Sequence, residues 1–142
     1  MRQDIPQGLR TVYVINFIFT LIFGLAGTFA AGLVGSIANH PVRDIDVNYG
    51  LGAVTLGLAL GSWFAYRAKR WDQISILTFI GAFANVLGGV GSLLLYFVPG
   101  AFGITQLPPV SLVVAVLYTL LGLGFLYFYL QINGARTPQL EA

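Results

Sequence analysis

Residues 73–99 read QISILTFIGAFANVLGGVGSLLLYFVP and hold no charged side chain. Wound as an α-helix at about 1.5 Å per residue, such a stretch reaches roughly 36–40 Å. That exceeds the hydrocarbon core of a bilayer, about 30 Å, and the ~18 apolar residues that mark a spanning helix. Working outward from it, three further uncharged runs appear, at 11–38, 47–66 and 109–133. The chain is thus predicted to be one domain, 1–142, with helices at about 11–38, 47–66, 73–98 and 109–132. The first and third must tilt or overshoot the hydrocarbon core, and the second, the shortest, should stand most upright.

Composition supports lipid as the solvent. Hydrophobic residues make up 57% of the 142 residues and charged residues 8%, against about 25% charged in an ordinary soluble domain. So few charges cannot cover a water-facing surface, so much of the exterior must be apolar. The fold class expected is all-α: an integral membrane four-helix bundle, antiparallel because its connections are short. Net charge is only +2 and no basic cluster resembles a nucleic-acid footprint, so no nucleic-acid partner is expected. The absence of cysteine excludes disulfides, thiolate metal sites and thiol catalysis. Arg2, Arg10 and the small residues around Ser36-Ile37-Ala38 resemble a secretory leader, but the apolar run between them is too long for one.

The connections assign the orientation. Arg2, Arg10, Arg67, Lys69, Arg70 and Arg136 fall on one side of a four-span chain, and Arg43 alone falls on the other, beside Asp44 and Asp46. Positive charge in short loops stays cytoplasmic. Both termini and the 67–72 turn are therefore predicted to be cytoplasmic, in a plasma membrane of bacterial inner-membrane type. Tyr13, Trp63, Tyr66, Trp71, Tyr127 and Tyr129 lie near that boundary, and Tyr49, Tyr96 and Phe97 near the outer one, the depths that amphipathic rings favour. Asp46 is placed to cap the second helix. The uncharged 100–108 segment, with Phe102, Ile104 and Leu107, is expected to lie in the interface, and the chain beyond Asn133 to be a polar tail. Trp63, Arg67, Lys69, Arg70 and Trp71 are the candidate contacts for lipid headgroups.

Helices in lipid associate through small residues and a few hydrogen bonds. Candidate packing rows are Gly27, Ala31 and Gly35 on the first helix, Ala53, Gly57, Gly61 and Ala65 on the second, and Gly81 and Gly89 on the third. The expectation is a tight seam among helices one to three, with helix four facing lipid. The Gly57/Gly61 pair is read as packing within the monomer.

The spans carry no Asp, Glu, Lys, Arg or His at depth. Ion-coupled transport needs a membrane carboxylate that takes up and releases a proton, and retinal chemistry needs a buried lysine. Acid–base catalysis likewise lacks its groups. No enzymatic activity, catalytic residue or metal site is expected. The polar intramembrane candidates are Asn16, Thr20, Thr55, Asn85 and Tyr118. Asn85 is expected to bond across helices, to Thr55, Asn16, Thr20 or Tyr118, or else to hold a ligand such as a quinone, pigment or lipid. No cofactor is required. His40, before Pro41 in the outer loop, reads as a solvated side chain rather than a haem or chlorophyll ligand.

The run Tyr49-Gly50-Leu51-Gly52-Ala53 through Arg67-Ala68-Lys69-Arg70-Trp71, with the glycine-rich helix after it, resembles small bacterial four-helix membrane proteins of the DoxX-like type. The resemblance covers helices two and three, about a third of the chain. It implies a compact four-helix bundle, in some members a small subunit of an oxidoreductase complex, and carries over no catalytic residue. Together these features lead to the expectation of a non-catalytic accessory subunit of a larger membrane complex, for example a bioenergetic one. It would pack against other membrane-protein subunits and membrane lipids or pigments, partly through Phe125, Tyr127, Phe128 and Tyr129 on helix four. A small carrier or channel for a neutral or apolar solute is the alternative.

Overall fold

The computed structural model describes residues 4–33, 45–102 and 109–134, with side chains at 45–49, 101–102 and 110 left aside. Among these residues the chain is all-helical. Four long helices follow in order: α1 (Gln7–Phe29), α2 (Ile45–Arg67), α3 (Ser75–Phe97) and α4 (Pro109–Gly134), with short 3-10 turns at Trp71–Gln73 and Pro99–Phe102. Stretches of three of them, Gln7–Phe29, Ser75–Phe97 and Ser111–Gly134, are long and apolar enough to cross a membrane.

Local chemistry explains most of the helix ends. Pro109 opens α4, where a missing N–H costs nothing. Val98 leaves the helical region at φ −130° and Pro99 follows it, since a residue before proline avoids the α conformation. α1 departs from expectation at both ends. It begins after Pro6, so Arg10 lies on the helix, and it stops at Ala30, whose N–H still reaches the Ala26 carbonyl at 2.9 Å. A charge-free run measures compatibility with lipid, not helix continuity. Gly24, Gly27, Thr28 and Gly32 are weak helix formers in the stretch where α1 gives way. Of the predicted loops at 39–46 and 100–108, residues 39–44, with His40, and 103–108 lie outside the described residues, as does the tail beyond Gly134. Asp46 falls in the first turn of α2.

The distribution of side chains is inverted relative to a water-soluble protein. Ile18, Ile22, Phe29, Leu51, Phe64, Ile76 (73% exposed), Phe83, Leu120 and Leu130 face outward, whereas Asn16, Thr20, Ser62, Thr78 and Asn85 are buried. An apolar exterior, with the few amides and hydroxyls held inside among apolar core residues, is the arrangement a hydrocarbon solvent selects, because only inside can those polar groups find partners.

Two helical pairs build the molecule. Along α1 and α2, Arg10 meets Tyr66, Asn16 meets Ser62, Phe17 meets Trp63, and Gly24 meets Leu56. Numbers rise on one helix as they fall on the other, so this pair runs antiparallel. Along α3 and α4, Gly81 meets Phe125, Val86 meets Gly122, and Gly89 meets Thr119, again antiparallel. Each pair has close approaches where only glycine fits. A Cβ on Gly52 would stand 2.6 Å from the Thr28 nitrogen, and one on Gly122 2.6 Å from the Val86 nitrogen.

The expected seam of helices one to three is therefore replaced by α1 with α2 and α3 with α4. The α2 row is also turned by about one residue. Gly52, Ala59, Ser62 and Ala65 are buried, while Ala53 and Gly57 are exposed. Ser62 must face α1 to meet Asn16, and that rotation carries Ala53 and Gly57 away from α1. Gly27 and Ala31 do lie inward, at the α1–α2 crossing and in the core respectively. Gly35 lies outside the described residues.

The two pairs join chiefly at the end that carries the 68–74 turn. Ile5, Leu9, Tyr13, Ala65, Trp71, Ile74, Ala82, Phe125 and Ile132 form one cluster there. Trp71, expected among the headgroup contacts, is 1% exposed and its indole N–H donates to Asn133 Oδ1 at 3.3 Å. It plugs the junction because a large ring with one hydrogen-bonding tip suits a core that offers one acceptor. Phe125, expected on a partner-facing surface, is fully buried and packs edge-on against Tyr13 at 4.9 Å. Of the four aromatics named on that face only Tyr127 is exposed.

Candidate functional site

Near mid-length of the helices, α2 and α3 part and leave a partly open groove of about 70 Å³. Gly57, Leu58, Gly61 and Ser62 form one wall, Leu77, Ile80, Gly81, Ala84 and Asn85 the other, and Tyr13, Asn16 and Phe125 the floor. The opening exists because the α2 wall lacks side chains. A Cβ on Gly57 would meet nothing within 4 Å, and one on Gly61 only Leu77 at 3.9 Å.

Three polar pairs set the chemistry of the floor. Thr78 donates its hydroxyl hydrogen to the Ile74 carbonyl at 2.9 Å, so in its 2.7 Å contact with Tyr13 the tyrosine donates. Ser62 likewise gives its only hydrogen to the Leu58 carbonyl at 2.9 Å. Asn16 must therefore turn its NH₂ toward Ser62 Oγ, which accepts at 2.8 Å. Asn85 turns its NH₂ to the Gly81 carbonyl at 2.7 Å, for a carbonyl can only accept. Both amide orientations follow from their neighbours, and both leave an oxygen over. Asn16 Oδ1 and Asn85 Oδ1 are buried and have no hydrogen-bond partner among the described residues. The residues themselves are 3% and 5% exposed.

No family model, no curated protein and no solved structure matches this chain. The groove must be interpreted from its own chemistry.

The five polar candidates separate cleanly. Asn16 and Asn85 come together on the groove. Thr20 spends its hydroxyl on the Asn16 and Phe17 carbonyls, at 2.6 and 3.3 Å. Thr55 turns back to the Leu51 carbonyl at 2.7 Å. Tyr118 packs its ring against Phe19 at 4.9 Å and over Gly88. The expected helix-to-helix bond from Asn85 is replaced by a bond within α3. A helix offers every side-chain amide a carbonyl four residues back, and among the described residues no donor on another helix reaches the oxygen. Sequence reasoning missed Tyr13, Ser62 and Thr78. Tyr13, Asn16 and Thr20 share one helical face at i, i+3 and i+7, and that spacing was the available signal.

Where α1 meets the end of α2, Arg10 acts as a clamp. Its guanidinium donates to the Tyr66 carbonyl at 2.6 Å and the Ala68 carbonyl at 3.0 Å. These are carbonyls at the α2 terminus, where the helix dipole is negative and the last carbonyls lack helical partners. Trp63 (40% exposed) carries Arg67 over its ring at 5.8 Å. Lys69 and Arg70 are exposed. Arg70 pairs with Asp72, and the hydrogen bond to that carboxylate, helped by its charge, raises the guanidinium pKa above its usual range. Among the described residues no three His, Cys, Asp or Glu side chains gather as a metal site would require.

Proposed function

We propose that the protein is a non-catalytic accessory subunit embedded in a bacterial-type inner membrane, which packs against partner chains and holds an apolar molecule between its two helical pairs. It spans the membrane four times as an antiparallel bundle, with its termini and the 67–72 turn cytoplasmic. The supporting observation is the groove itself: a mid-depth opening with two buried, unpaired amide oxygens and no titratable carboxylate, amine or imidazole beside them. Such a site binds and orients a neutral molecule, and its carbonyls cannot serve as a general acid. The outward-facing Ile, Leu and Phe side chains on all four helices supply surface for lipid and for neighbouring subunits. Trp63, Arg67, Lys69 and Arg70 form an exposed basic–aromatic end suited to anionic headgroups. The DoxX-like resemblance fits the same reading.

The test is mild detergent extraction followed by native mass measurement. Co-purifying membrane chains and a bound apolar molecule are expected. A stable monomer, free of both, contradicts the proposal. The carrier reading has less support. Thr20, Thr55 and Tyr118 are absent from the groove lining, so the polar candidates form no continuous path among the described residues.

A further inference from the structure

We infer that the molecule held between α2 and α3 is an alcohol, taken up through hydrogen bonds it donates to Asn16 and Asn85. This rests on the reading of the groove as a binding site and adds its chemical preference.

The unused atoms of the groove point to this class. Tyr13, Ser62 and Thr78 have each committed their hydroxyl hydrogen inside the protein. Each of the two amides already donates once and keeps a second N–H, so its nitrogen has a partner while its oxygen has none. The groups left without any partner are the oxygens Asn16 Oδ1 and Asn85 Oδ1, and both residues line the groove. A buried acceptor left empty is costly, and water is scarce at this depth. What relieves it is a donor. A ketone, ether or ester oxygen brings none, whereas a hydroxyl brings one hydrogen and a vicinal diol two, which matches the two oxygens.

Size and shape narrow the class further. About 70 Å³ is less than half of the 150 Å³ or so that encloses a benzene ring. A hydroxylated head and its first few carbons fit, and the remainder of the molecule must leave through the open side. That side is bordered by Leu77 and Ile80, both large, apolar and exposed. The fitting ligand is an aliphatic lipid alcohol with a narrow head and a hydrocarbon tail that continues into the bilayer. A phenolic head, such as that of a reduced quinone, offers the same donor on a wider body.

The experiment uses the full chain in nanodiscs, labelled with nitrogen-15, and follows the side-chain amide signals of Asn16 and Asn85. The probes are dodecanol, its methyl ether, the vicinal diol of dodecane, and para-nonylphenol. Affinity should rise by about tenfold from ether to alcohol and again from alcohol to diol, with both amide signals shifting. Asn85→Leu should abolish one step of that series, leaving alcohol and diol equal. Gly57→Leu, whose side chain enters empty space, should block every probe while the protein stays folded. Tighter binding of dodecanol than of para-nonylphenol assigns a lipid alcohol. The reverse assigns a phenolic head and overturns the aliphatic assignment. Equal binding of ether and alcohol, still blocked by Gly57→Leu, overturns the donor preference and leaves the binding site intact. No binding of any probe overturns the site itself.

Discussion

Arg10→Met and Arg10→Lys separate two roles that one residue plays. In the proposed topology Arg10 needs only its charge, and lysine supplies that. As a clamp it needs a planar fork that reaches two carbonyls at once, 2.6 Å to Tyr66 and 3.0 Å to Ala68. Hydrogen bonds from a charged donor contribute about 1.5–3 kcal/mol each. The site is half-buried, so water can partly replace the lost donor and the lower end applies. Two such bonds at that lower end give about 3 kcal/mol for Arg10→Met. Lysine presents a point charge and can satisfy one carbonyl well, so Arg10→Lys should cost about half as much. The exposed Lys69→Gln, at the same end of the bundle, should stay within about 0.5 kcal/mol. Reversible unfolding in mixed micelles, by SDS titration with helicity as the readout, gives all three numbers. If Arg10→Lys is indistinguishable from the unmodified protein while Arg10→Met is costly, the fork geometry has no role and the clamp argument fails.

The core and the crossings yield three further expectations from the same assay. Trp71→Ala empties the junction between the two pairs and should cost about 3–5 kcal/mol, whereas Trp63→Ala, at a half-exposed ring, should cost under about 1.5 kcal/mol. Comparable losses at the two tryptophans contradict the burial described for Trp71. Gly122→Leu drives a side chain into the α3 backbone and should abolish the folded state, while Gly57→Ala should change stability by less than about 0.5 kcal/mol. Ser62→Ala strands the Asn16 amide and should cost about 1–3 kcal/mol. Adding Asn16→Leu should restore much of that loss, because two apolar partners leave nothing unpaired. A double variant as weak as the sum of the singles removes the proposed coupling.

Much of the architecture was legible in the sequence, and the reasons are physical. Charge-free length identifies three helices apolar enough to cross a membrane, α1, α3 and α4, and proline punctuation sets the ends of α3 and α4 to within a residue or two. Which helix pairs with which is not encoded in the small-residue rows alone. Those rows recur every four residues on a helix with 3.6 per turn, so they drift around it. The α1–α2 register instead follows from single interactions, Asn16 with Ser62 and Gly24 beside Leu56, each between residues more than thirty positions apart. Trp71 misled for a related reason: an interfacial anchor and a core plug have the same composition and the same place beside a basic turn. Arg10 appeared as a charge only, since its partners are main-chain carbonyls, which no side-chain pattern announces. Asn16 and Asn85 were recognisable as costly residues to bury. That the two residues meet on one groove depends on where α2 turns its glycines, which only the three-dimensional arrangement displays.

The central claim, four crossings with both ends on the cytoplasmic side, is tested most directly by cysteine labelling. The chain contains no cysteine, so single substitutions need no cleared background. In intact spheroplasts a membrane-impermeant maleimide should modify His40→Cys. It should leave Asp4→Cys and Lys69→Cys untouched until the membrane is permeabilised. Labelling of Lys69→Cys from outside, or of Asp4→Cys and His40→Cys from the same side, contradicts the topology and with it the account built upon it.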